Sequence, residues 1–107
     1  MGYNNEAPFQ IRKHIQLLGG VNIETITGPK TLTVADSTFQ MLDGGASDRD
    51  VTLPAEEDGI YFWIVNSGSS NNLVVKDVGA STVATVANGQ GGLFVSDGAT
   101  FNLVIKA

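Results

Sequence analysis

The chain contains no cysteine, only three prolines, and eight aromatic residues, namely five Phe, two Tyr and one Trp. Without cysteine, neither a disulfide framework nor a thiolate metal site can form. The longest strongly apolar stretch, residues 60–65, is far shorter than the roughly 20 residues that a membrane helix needs. The N-terminus also lacks the basic and then apolar layout of a signal peptide. We therefore expect a soluble, unexported protein with no membrane partner.

Basic residues are few and unevenly distributed. The chain carries six Lys and Arg against eleven Asp and Glu, for a net charge of −5. Residues 31–107 hold three basic residues against nine acidic ones, whereas residues 1–30 carry a net charge of +1. An acidic body repels phosphate backbones, and the aromatic residues have no basic neighbours, so the sequence predicts no nucleic-acid partner.

At 107 residues the chain fits one domain. Residues 1–20 differ from the rest because they begin with a polar stretch without periodicity and end in Gly19 and Gly20. One helical turn over residues 11–18 would be marginal, so we favour an extended N-terminal arm followed by a β domain over residues 21–107. A disordered tail without function is the alternative. Candidate contact residues of the arm are Phe9, Ile11, Arg12, Lys13, Ile15 and Leu17.

From Val21 onward, apolar and polar residues alternate with a period of two, which is typical of half-buried strands. The alternating apolar pairs are Val21 and Ile23, Leu32 and Val34, Phe39 and Met41, and Val51 and Leu53. The last pair stops at Pro54, which suits a strand end because proline cannot donate a ladder hydrogen bond.

Residues 60–65 are apolar at every position, in contrast to the other segments. A strand of this kind is either central in a sheet or covered by a partner on its outer side. Tyr61 and Trp63 are therefore candidates for an oligomer interface, and a second layer of the core is the equal alternative.

A strand followed by Asp and a tight turn recurs along the chain, as Leu32-Val34-Asp36, Leu73-Val75-Asp77 and Leu93-Val95-Asp97. Because Asp bonds its own turn, hairpin formation explains this recurrence better than a ligand-binding repeat does. The final hairpin pairs Leu93 and Val95 with Phe101, Leu103 and Ile105. The expected fold is all-β, a small sandwich or barrel of eight or nine strands with a jelly-roll-like order.

Chemically reactive groupings are scarce. His14 is the single histidine, and one imidazole makes neither a zinc site nor a catalytic triad. Asp43, Asp48 and Asp50 flank one loop and residues 56–58 are acidic, but their spacing is not that of a calcium loop, so solvated turns are favoured. Paired carboxylates for glycoside hydrolysis would need a cleft that short loops seldom build. We predict no catalytic residues, no cofactor and no enzyme activity.

Five segments together resemble a β module of structural proteins of tailed bacteriophages. They are Thr31–Ser37, Val51–Pro54, Gly59–Asn66, Asn72–Val75 and Phe94–Gly98. The resemblance implies a virion component present in many copies, usually a homotrimer, without a cofactor or catalysis. It transfers no functional residues.

Two virion roles fit this resemblance. Capsid decoration (cement) proteins are short and typically grip the shell through an extended N-terminal arm, which matches the layout of this chain. Fibre subunits are longer and carry repeats or heptads that are not visible here. We therefore expect a decoration protein on the outer surface of the capsid, made in the host cytoplasm, with the major capsid protein as its partner. A tail-fibre or baseplate adhesion domain and a carbohydrate-binding module that presents Tyr61 or Trp63 to a sugar are the alternatives.

Overall fold

The computed structural model describes residues 19–107, which form nine strands and no helix. The strands are β1 (Val21–Thr25), β2 (Lys30–Thr31), β3 (Phe39–Asp43), β4 (Arg49–Thr52), β5 (Tyr61–Asn66), β6 (Leu73–Lys76), β7 (Thr82–Val86), β8 (Gly91–Ser96) and β9 (Phe101–Lys106). The prediction of an all-β domain with eight or nine strands is confirmed for these residues. The arm residues Phe9, Ile11, Arg12, Lys13, Ile15 and Leu17 lie outside the described residues.

The strands form two sheets packed as a small sandwich. The five-stranded sheet has the order β1-β3-β5-β8-β9 and the four-stranded sheet has the order β2-β4-β6-β7. The first six strands alternate between the sheets, so the chain winds as a coil of three turns with two strands per turn. Successive strands of one sheet are consequently parallel, as in the pairing of β1 with β3, β3 with β5, and β4 with β6.

After the third turn the chain reverses its direction. Strand β7 pairs antiparallel with β6, β8 pairs antiparallel with β5, and β9 completes a hairpin with β8. The predicted final hairpin is therefore confirmed, but the jelly-roll-like order was wrong, because a jelly roll is built from antiparallel neighbours. The barrel alternative is also wrong, since two separate sheets face each other.

A single apolar core lies between the sheets. It contains Ile26, Leu32, Leu42, Val51, Leu53, Phe62, Ile64, Leu73, Val75, Val86, Phe94 and Phe101. Strand β5 contributes Phe62 and Ile64 from the middle of the five-stranded sheet, which confirms the prediction of a central strand.

The recurring Asp residues end strands by capping turns, as predicted. The Asp77 Oδ1 atom accepts a hydrogen bond from the Ser81 amide at 2.9 Å, and Asp97 Oδ1 accepts one from the Thr100 amide at 2.8 Å. Asp36 Oδ2 likewise accepts from the Thr33 amide at 2.7 Å. This last bond corrects the predicted strand at Leu32 and Val34, because it turns the chain at Thr33 and confines β2 to Lys30–Thr31.

Candidate interaction surface

The outer side of the five-stranded sheet is covered with apolar side chains. Burial alternates strictly along β3, β5 and β8, where the buried positions are Gln40 and Leu42, then Phe62, Ile64 and Asn66, then Gly92, Phe94 and Ser96. The residues between them point away from the core, and register places the matching residues of β1 and β9 on the same side. We call this surface the apolar face, formed by Val21, Ile23, Phe39, Met41, Tyr61, Trp63, Val65, Leu93, Val95 and Ile105.

The side chains of the apolar face form rows across the strands. One row crosses all five strands through Val21, Phe39, Trp63, Leu93 and Ile105, which are consecutive partners in the ladders. Within this row the rings of Phe39 and Trp63 stack with centroids 6.3 Å apart and planes inclined by 25°. Cross-strand contacts of this kind make the face a continuous surface rather than a set of isolated apolar residues.

Several members of the apolar face are strongly exposed. The exposed fraction is 74% for Ile23, 49% for Ile105 and 44% for Tyr61. Single apolar residues on a surface are ordinary, but contiguous apolar patches mark sites of interaction.

The outer side of the four-stranded sheet has the opposite character. Val51, Leu73 and Val75 are buried, so their neighbours along β4 and β6 point outward. With their ladder partners, the outward residues are Thr31, Asp50, Thr52, Val74, Lys76 and Thr85. The Lys76 Nζ atom lies 3.1 Å from Asp50 Oδ2. This side is polar and carries an ion pair, as expected of a surface that faces water.

Charged side chains stay at the rim of the apolar face. Asp43 is the ladder partner of Thr25 at the end of β3. Its Oδ1 atom accepts a hydrogen bond from the Gly45 amide at 2.8 Å. None of the side chains that form the apolar face between that rim and Tyr61 is charged. A neighbour can therefore cover the apolar face without stripping water from a charge.

A polar cluster closes the first turn of the coil. The Asn22 side-chain amide donates to Gln40 Oε1 at 2.8 Å and to Glu24 Oε1 at 3.0 Å, and Lys30 Nζ lies 2.9 Å from the same Glu24 oxygen. The hydrogen bond from Asn22, followed by that from Lys30, lowers the pKa of Glu24 below its ordinary value of 4.5. These side chains therefore supply one another with hydrogen bonds and an ion pair at the end of the core.

An open groove of about 200 Å³ lies beside the exposed Tyr61 ring. Its lining residues are Val34, Asp36, Thr38, Gly59, Ile60, Tyr61 and Phe62. An aromatic ring beside hydroxyl and carboxylate groups is chemistry that a small polar ligand such as a sugar can use. The Asp36 carboxylate, however, is already engaged by Thr33.

The acidic loops do not come together as a metal site. Within residues 19–107, no group of three or more acidic or histidine side chains is arranged to hold a metal ion. Asp48 Oδ1 accepts a hydrogen bond from the Asn72 amide at 2.8 Å, and Asp50 pairs with Lys76. The part of the chain that the structure describes also has no helix long and apolar enough to cross a membrane.

Tyr61 and Trp63, predicted as interface candidates, both lie on the apolar face. The sequence interpretation missed the other members of this face, because it treated alternating pairs such as Phe39 and Met41 as the buried side of half-buried strands. The structure instead buries Gln40, which is 1% exposed and donates from its Nε2 atom to the Ser37 carbonyl at 2.7 Å. The sequence did contain a signal for this orientation, since the apolar Leu42 lies two residues after Gln40 and therefore points to the same side of the strand.

No protein-family model, curated protein or solved structure matches this chain.

Proposed function

We propose that this chain is a non-catalytic structural protein of a tailed-bacteriophage virion, specifically a capsid decoration protein that assembles as a homotrimer on the outside of the head. The observation that carries the proposal is the apolar face, which has the composition of a contact surface rather than of a surface in water. The resemblance of the five sequence segments to phage β modules supplies the virion context.

The contrast between the two outer sides supports assembly in a defined orientation. The four-stranded sheet presents threonines and the Lys76–Asp50 pair, so it remains in water. The apolar face presents Trp63 and Tyr61, and such aromatic residues are enriched where protein interfaces gain most of their binding energy. Packing three copies through this face would leave the polar side outward.

In this proposal, residues 1–20 bind the major capsid protein. Phe9, Ile11, Ile15 and Leu17 supply apolar anchors, while Arg12 and Lys13 contact acidic groups of the shell. An exposed ion pair contributes less than about 1 kcal/mol, so the anchors and the multiple copies carry most of the binding.

The proposal is tested with heads that lack the protein. We expect the full chain to bind them, and a variant without residues 2–14 to fail while retaining the circular dichroism spectrum and Trp63 emission of the folded domain. A matched variant with Arg12→Glu and Lys13→Glu should bind with modestly reduced affinity. Undiminished binding by the truncated variant would refute the assignment of the arm.

Copy number distinguishes the virion roles. Quantitative mass spectrometry of purified virions should give a ratio within about threefold of one copy per major capsid subunit, because a cement protein covers the whole shell. A much smaller number of copies would instead indicate the tail-fibre or baseplate alternative. Absence from virions would refute a structural role.

The groove beside Tyr61 favours a second candidate function, binding of a glycan. A sugar stacked on the exposed ring would lie within reach of Thr38 and the rim of the groove. Glycan-array binding that is lost in Tyr61→Ala but retained in Val74→Ala, on the opposite sheet, would support this candidate.

A further inference from the structure

Strand β1 forms an edge of the five-stranded sheet with half of its backbone groups directed outward. Among the described residues it pairs only with β3. The Ile26 amide donates to the Asp43 carbonyl at 2.8 Å, so residues of the same parity, Asn22 and Glu24, direct their backbone groups toward β3. Val21, Ile23 and Thr25 therefore direct their amides and carbonyls to the open side.

The remaining edges of the two sheets are less suited to pairing. The ladder of β9 shifts register between Leu93 and Phe94, and that of β7 shifts between Val75 and Lys76. Such bulges distort an edge and discourage the addition of a strand. Strand β2 has only two residues. In contrast, β1 keeps an unbroken register over five residues.

We infer that β1 is a self-association site, at which β1 of a second copy pairs antiparallel and joins two five-stranded sheets into one. The register with greatest overlap is centred on Ile23. It pairs Ile23 with its own counterpart and Val21 with Thr25, and all of these residues direct their backbone groups to the open side. The side chain of Ile23, which is 74% exposed in one copy, thereby packs beside its counterpart on the joined sheet.

The arrangement of charges along β1 makes a second copy the fitting occupant. In the centred register, Asn22 of one copy lies opposite Glu24 of the other, so each carboxylate faces a neutral side chain rather than a second carboxylate. The two Glu24 side chains are not opposite each other, and each is already paired with Lys30 at 2.9 Å. No like charges face each other, although the protein as a whole is acidic.

The inference does not rest on the proposed function. It concerns a two-fold contact at a sheet edge, whereas the proposed trimer uses the broad side of the sheet. A two-fold contact of this kind can join two trimers, and it can also form between otherwise monomeric copies.

Single-cysteine variants test the register directly, because the natural chain contains no cysteine. In an antiparallel pair, residues directly opposite have Cα atoms about 4.5 to 5.5 Å apart. A pair of Val21 residues would be separated by about 14 Å, from four residues of about 3.4 Å each. A short bismaleimide that cannot span the longer distance should therefore link Ile23→Cys to itself. It should link Val21→Cys to Thr25→Cys only when the two variants are mixed.

Ile23→Pro provides a second test that leaves the β3 ladder intact, since the Ile23 amide faces the open side. We expect the Ile23→Pro variant to retain the circular dichroism spectrum of the folded protein. In sedimentation velocity it should no longer show the species formed through the two-fold contact, whereas Ile23→Val should still show that species. Equal crosslinking at positions 21, 23 and 25, or no crosslinking at 23, would overturn the inference. Slow amide exchange of Ile23 in a monomer would also overturn it, because the edge would then be covered within one chain.

Discussion

Polar side chains occupy several inward positions of this small domain, and each is supplied with hydrogen bonds. Asn66 is 1% exposed, yet its amide donates to the carbonyls of Asn71 and Val86 at 2.7 and 2.9 Å. Its Oδ1 atom accepts from the Gly68 amide at 3.0 Å. Among the described residues, no buried side-chain nitrogen or oxygen lacks a partner. Burial of these groups is therefore compatible with a stable core.

Glu24 makes the first turn of the coil sensitive to acid. Hydrogen bonds from Asn22 and then Lys30 lower its pKa below 4.5 in the folded protein, so the unfolded chain binds the proton more readily. This contribution to stability is present above pH 4.5 and is lost as the pH falls through the lower folded value. Because the Glu24 side chain is 41% exposed, we expect this contribution to the free energy of unfolding to be below about 1 kcal/mol.

The measurement is urea unfolding of the natural chain and of Glu24→Gln at pH 7 and at pH 3. Between these values the natural chain should lose more unfolding free energy than the variant does. Equal losses in the two proteins would show that the Glu24 interactions contribute nothing to folding.

At the scale of the element, β8 shows how one small residue permits a large one. Gly92 and Phe94 both point into the core. A Cβ atom at position 92 would lie 2.9 Å from Phe94 Cε1 and 3.1 Å from Leu103 Cδ1. Both distances are shorter than ordinary contacts, so a Cβ atom at position 92 would force the side chains of Phe94 and Leu103 to shift.

Gly92→Ala should therefore destabilise the protein by about 1 to 3 kcal/mol through overpacking. Its cost should be smaller when Phe94→Leu is already present, because the shorter side chain leaves room for the methyl group. A double-mutant cycle in urea measures this coupling. Gly28→Ala is the matched control, since no atom lies within 4 Å of the Cβ position there. Equal costs in both backgrounds would refute the steric explanation.

Most strands were predictable from the chain, and the exceptions have local causes. The segments at Val21, Phe39, Val51 and residues 60–65 all contain strands, because alternation of apolar residues and the turn residues between them are local signals. The prediction of a strand at Leu32 and Val34 was wrong because the side chain of Asp36 accepts a hydrogen bond from the Thr33 amide and ends the strand. A capped turn of this kind competes with a strand of the same composition.

At the scale of the whole molecule, the two outer sides differ in what they can contact. If copies assemble through the apolar face, Trp63→Ser should weaken assembly by at least about 2 kcal/mol, as expected of an interface tryptophan. Sedimentation velocity over a range of concentrations should show a shift from trimer toward monomer.

Val74→Ser is the control, because Val74 is the large apolar residue on the outer side of the four-stranded sheet. It should leave the distribution of sedimenting species unchanged. Tyr61→Ser, at an exposed position of the apolar face, checks that any effect of Trp63→Ser does not come from loss of its stack with Phe39. Unchanged assembly in both apolar-face variants would refute assembly through this surface.

The sequence by itself determined where most strands and turns form, since alternation, Asp caps and glycines act within a few residues. It also limited residues 60–65 to a strand that is central in its sheet or covered by a partner on its outer side, because both of their sides are apolar. It did not determine which side of β1, β3 and β8 faces the core. A period of two is compatible with either side, and the choice depends on strand register and on partners such as Asn22 for Gln40, which lie far away along the chain. Only the tertiary structure decided that Phe39, Met41 and Leu93 point outward, and only winding between two sheets made the neighbouring strands parallel.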